Sequence, residues 1–441
     1  MKYIYGLNKS GQSIINFLDN IKEQYFCWDD DKRIRNKLVK KNSKIYLKEP
    51  MNLNFNLIKE SFVTPGISLN DKKIKILKDN HLDLFRDLEL YSRIAKNKKI
   101  IAVTGTNGKS TTAKLISDLL KKNKIENFLG GNIGTPLLDF TKSEKLIKYH
   151  VIELSSFQLE STVSFNPFIS ILLNIAPDHL DKYKNYNEYA LQKEKIISAN
   201  KNGYNILCID HNKTKNLYDR CKRKIIPISK KFLKKGIYFK KNCIIDNYFT
   251  NGEKISIDSL SPSLFGSFNV ENILSAYAVS KILNIKNSNF INILKKFRGL
   301  PHRLELVYKN SFLQVINNSK ATNIHAALNS ISNYENINLI LGGKAKENNF
   351  KKIILYKRKI NKIYLIGESG KKIFKQLNGK IKCEVSYTIE KSIKKILLDI
   401  KSKKEFQTIL FSPACSSFDQ FDNFEVRGKY FKKIIKKLIN E

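Results

Sequence analysis

The chain has 441 residues, with 80 Lys and Arg against 40 Asp and Glu, a formal net charge of +40, and 42% hydrophobic residues with only 9 prolines. That length exceeds one ordinary core and points to two or three domains, and the composition is that of a globular chain and excludes a disordered one. No apolar run approaches a membrane span, and the N-terminus lacks the apolar run and cleavage site of a secretory signal.

Six cysteines (Cys27, Cys208, Cys221, Cys243, Cys383, Cys415) form no C-x-x-C pair. They make neither a disulfide framework nor a zinc pattern, and they fit a reducing, cytoplasmic setting. The lysines run along the whole chain without a basic tail or a nucleic-acid module. The charge therefore reads as a generally basic surface that can steer acidic small molecules, with no nucleic-acid partner expected.

The chain opens with KYIYGLNKSGQSIINFLDN, a strand, a glycine turn and an apolar-periodic helix. QYFCWDDDKRI follows as a strand ending in acids, and SFVTPGISL as a later strand running into a turn. This alternation is Rossmann-like. Gly6 and Gly11 alone are a weak fingerprint, because Asn8 stands where a dinucleotide turn carries glycine. After the helical stretch LELYSRIAKNKK, a second βα series begins near Lys98. It holds IIAVTGTNGKSTTAKLISDLL, KYHVIELSSFQLE, FISILLNIAPDHLD and the helix NYNEYALQKEKIISAN. Residues 201–264 read as strand-like and lysine-rich, and the helix NVENILSAYAVSKIL closes the series. A third series runs from RLELVYKNSFLQVIN through NINLILGGKAKE and IYLIGESGKKIF to FQTILFSPACSSFDQF and a basic terminal helix. The fold class expected is α/β in three domains: a Rossmann-like domain over 1–93, a central P-loop-type parallel sheet over 94–297, and a Rossmann-like domain over 298–441.

The chemistry starts at TGTNGKST. A glycine-rich turn between strand and helix aims backbone N–H groups into a concavity, and the helix start adds positive potential. Gly105, Gly108, Lys109, Ser110 and Thr111 thus read as a phosphate site, with Lys109 on the outer phosphates and the Ser110 hydroxyl on Mg²⁺. The loop is short, because Val103 stands where the usual spacing puts glycine. Strands ending at Glu153 and before Asp178 and His179 bring a carboxylate and an imidazole to the C-terminal sheet edge, where they could hold a metal ion. Arg298, His302 and Arg303 surround a Gly-Leu-Pro turn, as phosphate-binding cations or as a basic hinge. Ser319, Lys320, Thr322 and Asn323 open a helix, and Ser416 and Ser417 lie in a turn after a strand. Cys415 has no traceable histidine partner, which argues against a thiol nucleophile.

These strings in this order resemble the Mur ligases, ATP-dependent amide-forming enzymes of peptidoglycan synthesis. GTNGKST is similar to that family's short phosphate loop, and TPGI, GLPHRLELV, SKATN and SPACSSFDQFDNFEVRG resemble the members that add D-glutamate to UDP-N-acetylmuramoyl-L-alanine. The match runs from Gly6 to Gly428. The resemblance implies a monomeric ligase that uses ATP and two Mg²⁺ ions. Leu7, Ser10, Gly66 and Asn132 would bind the uridine nucleotide. ATP would meet Gly105, Thr106, Asn107, Gly108, Lys109, Ser110, Thr111, Asn269, Asn272, Arg303 and Asn318. Ser110, Glu153, His179 and a carbamylated Lys193 would ligate metal, with Lys109, Lys193 and His179 catalytic. Thr322, Lys346, Ser417, Phe418 and Phe424 would form the D-glutamate pocket. Three positions depart from the family pattern: Asn318 where Asp is usual, Phe268 where His is common, and Lys344 where an acid often stands. The alternatives are a sister ligase for another amino acid or, in a different class, a basic nucleic-acid-binding ATPase.

Overall fold

The computed structural model describes residues 1–41, 45–69, 71–140, 146–178 and 182–440. The chain divides into two compact units, Met1–Asp258 with Val270–Ile293, and Ser259–Asn269 with Leu294–Glu441. Among the described residues there are three sheets, two in the first unit and one in the second.

The first sheet holds β1 (Lys2–Tyr5), β2 (Tyr25–Trp28), β3 (Glu60–Val63) and β4 (Asp83–Phe85) in the order β2-β1-β3-β4, all parallel. Parallel neighbours need crossovers, and α1 (Lys9–Asn20), α2 (Lys32–Lys41) and α3 (Lys72–Asp79) lie within these connections. Helix α4 (Asp87–Ile94) then leads to the second sheet. Its sequence carries polar groups that find partners beyond it. Glu89 accepts the N–H groups of Val163 and Ser164 at 2.8 and 2.9 Å, and the Tyr91 hydroxyl meets His150 Nδ1 at 2.8 Å. One apolar cluster runs from Ile4 and Phe62 through Leu88 and Tyr91 to Ile100 and Ile152. Position 93 therefore lies within a helix packed on both sheets.

The second sheet has nine strands: β5 (Lys99–Thr104), β6 (Asn127–Gly131), β7 (Tyr149–Glu153), β8 (Ile169–Leu172), β9 (Tyr204–Cys208), β10 (Ile225–Ser229), β11 (Ile237–Lys240), β12 (Cys243–Asp246) and β13 (Glu253–Ser256). Their order is β13-β12-β11-β10-β9-β8-β5-β7-β6. It is parallel from β6 to β11 and turns antiparallel only at the β12–β13 edge. Strands β5 and β8 are buried along almost their whole length because both faces are covered. The helices are α5 (Lys109–Lys122), α6 (Ser156–Leu159), α7 (Tyr186–Ala199), α8 (Asn212–Arg220) and α9 (Val270–Ile282). Helix α8 corrects the strand-like reading of residues 201–264. Its nine residues bury only Thr214 and Leu217, too few to show a periodic stripe. The parallel pairing of β9 with β10 nevertheless demands a crossover there.

Helix α10 (Asn287–Lys296) carries the chain into the second unit. That unit's sheet orders β14 (Glu305–Lys309), β15 (Leu313–Asn317), β16 (Ile337–Gly342), β17 (Ile360–Ile366), β18 (Cys383–Tyr387) and β19 (Gln407–Phe411) as β14-β15-β19-β16-β17-β18. Only β14 pairs antiparallel. Helices α11 (Ile324–Ile331), α12 (Gly370–Leu377), α13 (Ile389–Ile400) and α14 (Phe424–Asn440) complete the unit. No helix among the described residues is long and apolar enough to cross a membrane.

Candidate active site

Strand β5 runs straight into the glycine turn, and Gly108 opens α5 with φ 85, a left-handed conformation suited to glycine. A Cβ there would stand 2.3 Å from Asn272 Oδ1, so the turn and the start of α9 are packed without a gap. Asn272 Oδ1 also accepts the Thr112 hydroxyl at 2.9 Å. The Lys109 ammonium lies over its own turn, donating to Gly105 O and Thr106 O at 2.8 Å each. Ser110 is buried in the first helical turn, and Thr111 follows it half-buried. The structure thus gathers Gly105 to Thr111 with Asn272 around one strand-to-helix turn.

Glu153 ends β7 beside it, 1% exposed, with one carboxylate oxygen accepting Asn132 Nδ2 at 2.8 Å. Asn132, expected at the diphosphate, therefore carries its side chain on the expected metal carboxylate. Lys193 lies on the inward face of α7 with Tyr189, Ile196 and Ile197, and its Nζ donates to Gly105 O at 2.8 Å. It is 2% exposed. Burial, reinforced by the positive charge of Lys109, pushes the amine well below the ordinary lysine range against the opposing pull of Asp178 and Glu153. An amine takes up CO₂ in its neutral form, which that lowering favours. His179 lies outside the described residues.

Beside the first sheet Gly6 opens the β1–α1 turn, and a Cβ on Gly11, in the first turn of α1, would fall 1.9 Å from Gly6 O. Leu7 is buried with its N–H on Asp29 Oδ2 at 2.7 Å, while Ser10 is half-buried. Gly66 is exposed in the TPG turn. Arg86, fully buried, shapes that turn by donating to Val63 O, Thr64 O and Ile67 O at 3.1, 2.8 and 3.0 Å.

In the second unit Thr322 precedes α11, Lys346 is exposed after β16, and Ser417 and Phe418 follow β19, the serine buried and the phenylalanine 67% exposed. Phe424 starts α14 under the Lys320 ammonium, 4.0 Å from its ring centroid. Asn269 belongs to this unit and donates to Phe265 O at 3.0 Å. Asn318 is turned inward, its Oδ1 on the Leu304 N–H at 3.3 Å. Arg303 is half-buried in the turn after α10. His302 lies in the same turn. It is 3% exposed and packed on Gly428, and burial lowers its imidazole from the ordinary range. Cys415 is buried, and burial pushes its thiol up to about 11, away from the thiolate a nucleophile needs.

The family model of the Mur ligase middle domain matches residues 103–280. The UDP-N-acetylmuramoylalanine–D-glutamate ligase of Rickettsia bellii is 35% identical, over 98% of this chain and 96% of the relative. That of Caldicellulosiruptor bescii is 32% identical, over 98% and 94%. The chain belongs to the Mur ligase family. Its fold is similar to that of the UDP-N-acetylmuramate–alanine ligase of Thermotoga maritima, with a TM-score of 0.61 at 18% identity over 99% of both chains. It is also similar to the MurF ligase of the same organism, solved with ADP, at TM-score 0.57 and 17% identity over 88% of this chain and 97% of that one.

Two residues of this Mur ligase escaped the sequence reading. Asn174, just after β8, receives the N–H of Asn107 on Oδ1 and that of Thr106 on its carbonyl, both at 2.8 Å. Arg427, 1% exposed in α14, joins two of the C-terminal strings by donating to Ser319 O at 2.7 Å and Cys415 O at 3.1 Å. The arginine of FEVRG was a visible signal, since a charge on a helix that must pack needs buried partners. Asn174 looked like an ordinary strand end.

Proposed function

We propose that the chain joins D-glutamate to UDP-N-acetylmuramoyl-L-alanine through an acyl phosphate, converting ATP to ADP and phosphate, in cytoplasmic peptidoglycan precursor synthesis. The observation that carries this reading is a buried Lys193, its amine pushed well below the ordinary lysine range, beside the phosphate turn and Glu153. A simple nucleotide hydrolase has no need to bury a lysine there at the cost of desolvation. We assign 1–93 to the uridine nucleotide, 94–297 to ATP and 298–441 to D-glutamate, in a protein that acts as a monomer.

The donors fit Mg²⁺. Glu153 and Ser110 are buried oxygen donors, and Lys193 becomes an oxygen donor once its amine has taken up CO₂ and released a proton. With His179 they would hold two ions, which when bound draw charge from the phosphoryl group in transfer. Lys109 and the start of α5 bring positive potential to the same group. A carboxylate is a poor acyl donor because oxide would have to leave. Phosphorylation supplies a leaving group, and the amine of D-glutamate then attacks the acyl carbon. Lys346, Thr322, Ser417, Phe418 and Phe424 would orient that amine.

Phosphate release is expected only when UDP-N-acetylmuramoyl-L-alanine and D-glutamate are both present. Release indifferent to both, or stimulated by DNA or RNA, would sink the reading. Release with another amino acid in place of D-glutamate would reassign the substrate.

A further inference from the structure

Asn174 holds the phosphate turn, and its own orientation has a visible cause. Its Nδ2 donates to Glu271 Oε2 at 2.9 Å and to Asn107 O at 3.2 Å. Glu271 lies in the first turn of α9, 4% exposed. Its other oxygen accepts His211 Nε2 at 2.9 Å and the Lys230 ammonium at 2.8 Å. The four residues come from the ends of β8, β9 and β10 and from α9, all within the first unit.

A carboxylate can only accept hydrogen bonds. It therefore forces the NH₂ of Asn174 toward itself, which leaves Oδ1 for the Asn107 N–H. A neutral amide at 271 would weaken that hold, because its own NH₂ would have to face either the Asn174 NH₂ or the Lys230 ammonium. Burial raises the carboxyl, but the His211 hydrogen bond and the Lys230 charge outweigh it and hold it at about 2. Cys208, His211 and Glu271 place donor atoms within 4.8 Å of one another, a set that could take a metal ion. The Lys230 ammonium already fills the cationic role, and burial keeps Cys208 a thiol by pushing it well above its ordinary range.

We propose that Glu271, clamped by His211 and Lys230, is a positioning residue for nucleotide binding, fixing the phosphate turn through the amide of Asn174. This rests on the phosphate-turn reading, and Lys109→Ala serves as its control. Glu271→Gln should weaken ADP binding by about tenfold, as expected for one buried donor left opposed. The KM for D-glutamate should stay unchanged. Asn174→Ala should weaken ADP comparably, and the double variant no more than Asn174→Ala alone, because both act through one amide. Glu271→Asp should recover part of the affinity, which a merely structural loss would not predict. Calorimetric ADP titration of the full chain reads all five variants against the wild type. Wild-type affinity in Glu271→Gln, or additive losses in the double variant, overturns the proposal. Unchanged binding in Lys109→Ala overturns the phosphate-turn reading instead.

Discussion

Two turns in this chain are built alike and serve different ends. Both leave a buried parallel strand through glycine and open a helix, one at Gly6 to Lys9, the other at Gly105 to Lys109. In the first, a carboxylate of the chain itself sits on the turn: Asp29 accepts the N–H groups of Leu7 and Asp31. In the second, the corresponding acceptor is the neutral amide of Asn174, and two lysines stand close by. In the first turn an N–H group is already taken by an anion of the chain, whereas the second, braced by an amide, leaves its positive potential unspent.

The largest break in that contrast should come from Lys193→Ala, which removes a group that the first turn lacks. Turnover should fall by about a thousandfold or more, with partial rescue by a short carboxylic acid in a steady-state assay. Full activity without rescue would remove Lys193 from the chemistry. Asn174→Asp would give the second turn the character of the first. Two carboxylates would then face each other across the Glu271 contact, and ADP affinity should fall by about a hundredfold. Equal affinity in a titration would mean that the charge of the brace is irrelevant. Asp29→Asn is the reverse exchange and the mildest. Its amide has one oxygen for two N–H groups, so about 1–2 kcal/mol of stability should be lost in denaturant unfolding. The KM for the uridine substrate should rise while ADP affinity holds.

The phosphate turn was legible because its chemistry lies in consecutive residues, where spacing alone places lysine at the helix start. Lys193 was legible only through the family resemblance, although a lysine between Tyr189 and Ile197 on an inward helical face is itself a signal. The Glu271 clamp was not legible. His211, Lys230 and Glu271 are brought together by strand order, and nothing local marks three polar residues at separate strand and helix ends. Nor can composition show that the Asn318 amide turns to the Leu304 N–H.

Helix α4 carries one more consequence. Arg86 just before it binds Glu160, while Asp87 accepts Gln158 and Glu89 accepts the amides beyond α6. Breaking the first sheet away would strand a buried guanidinium and two buried carboxylates together. The first two sheets should therefore melt as a single cooperative block, with amide-exchange protection shared across residue 93.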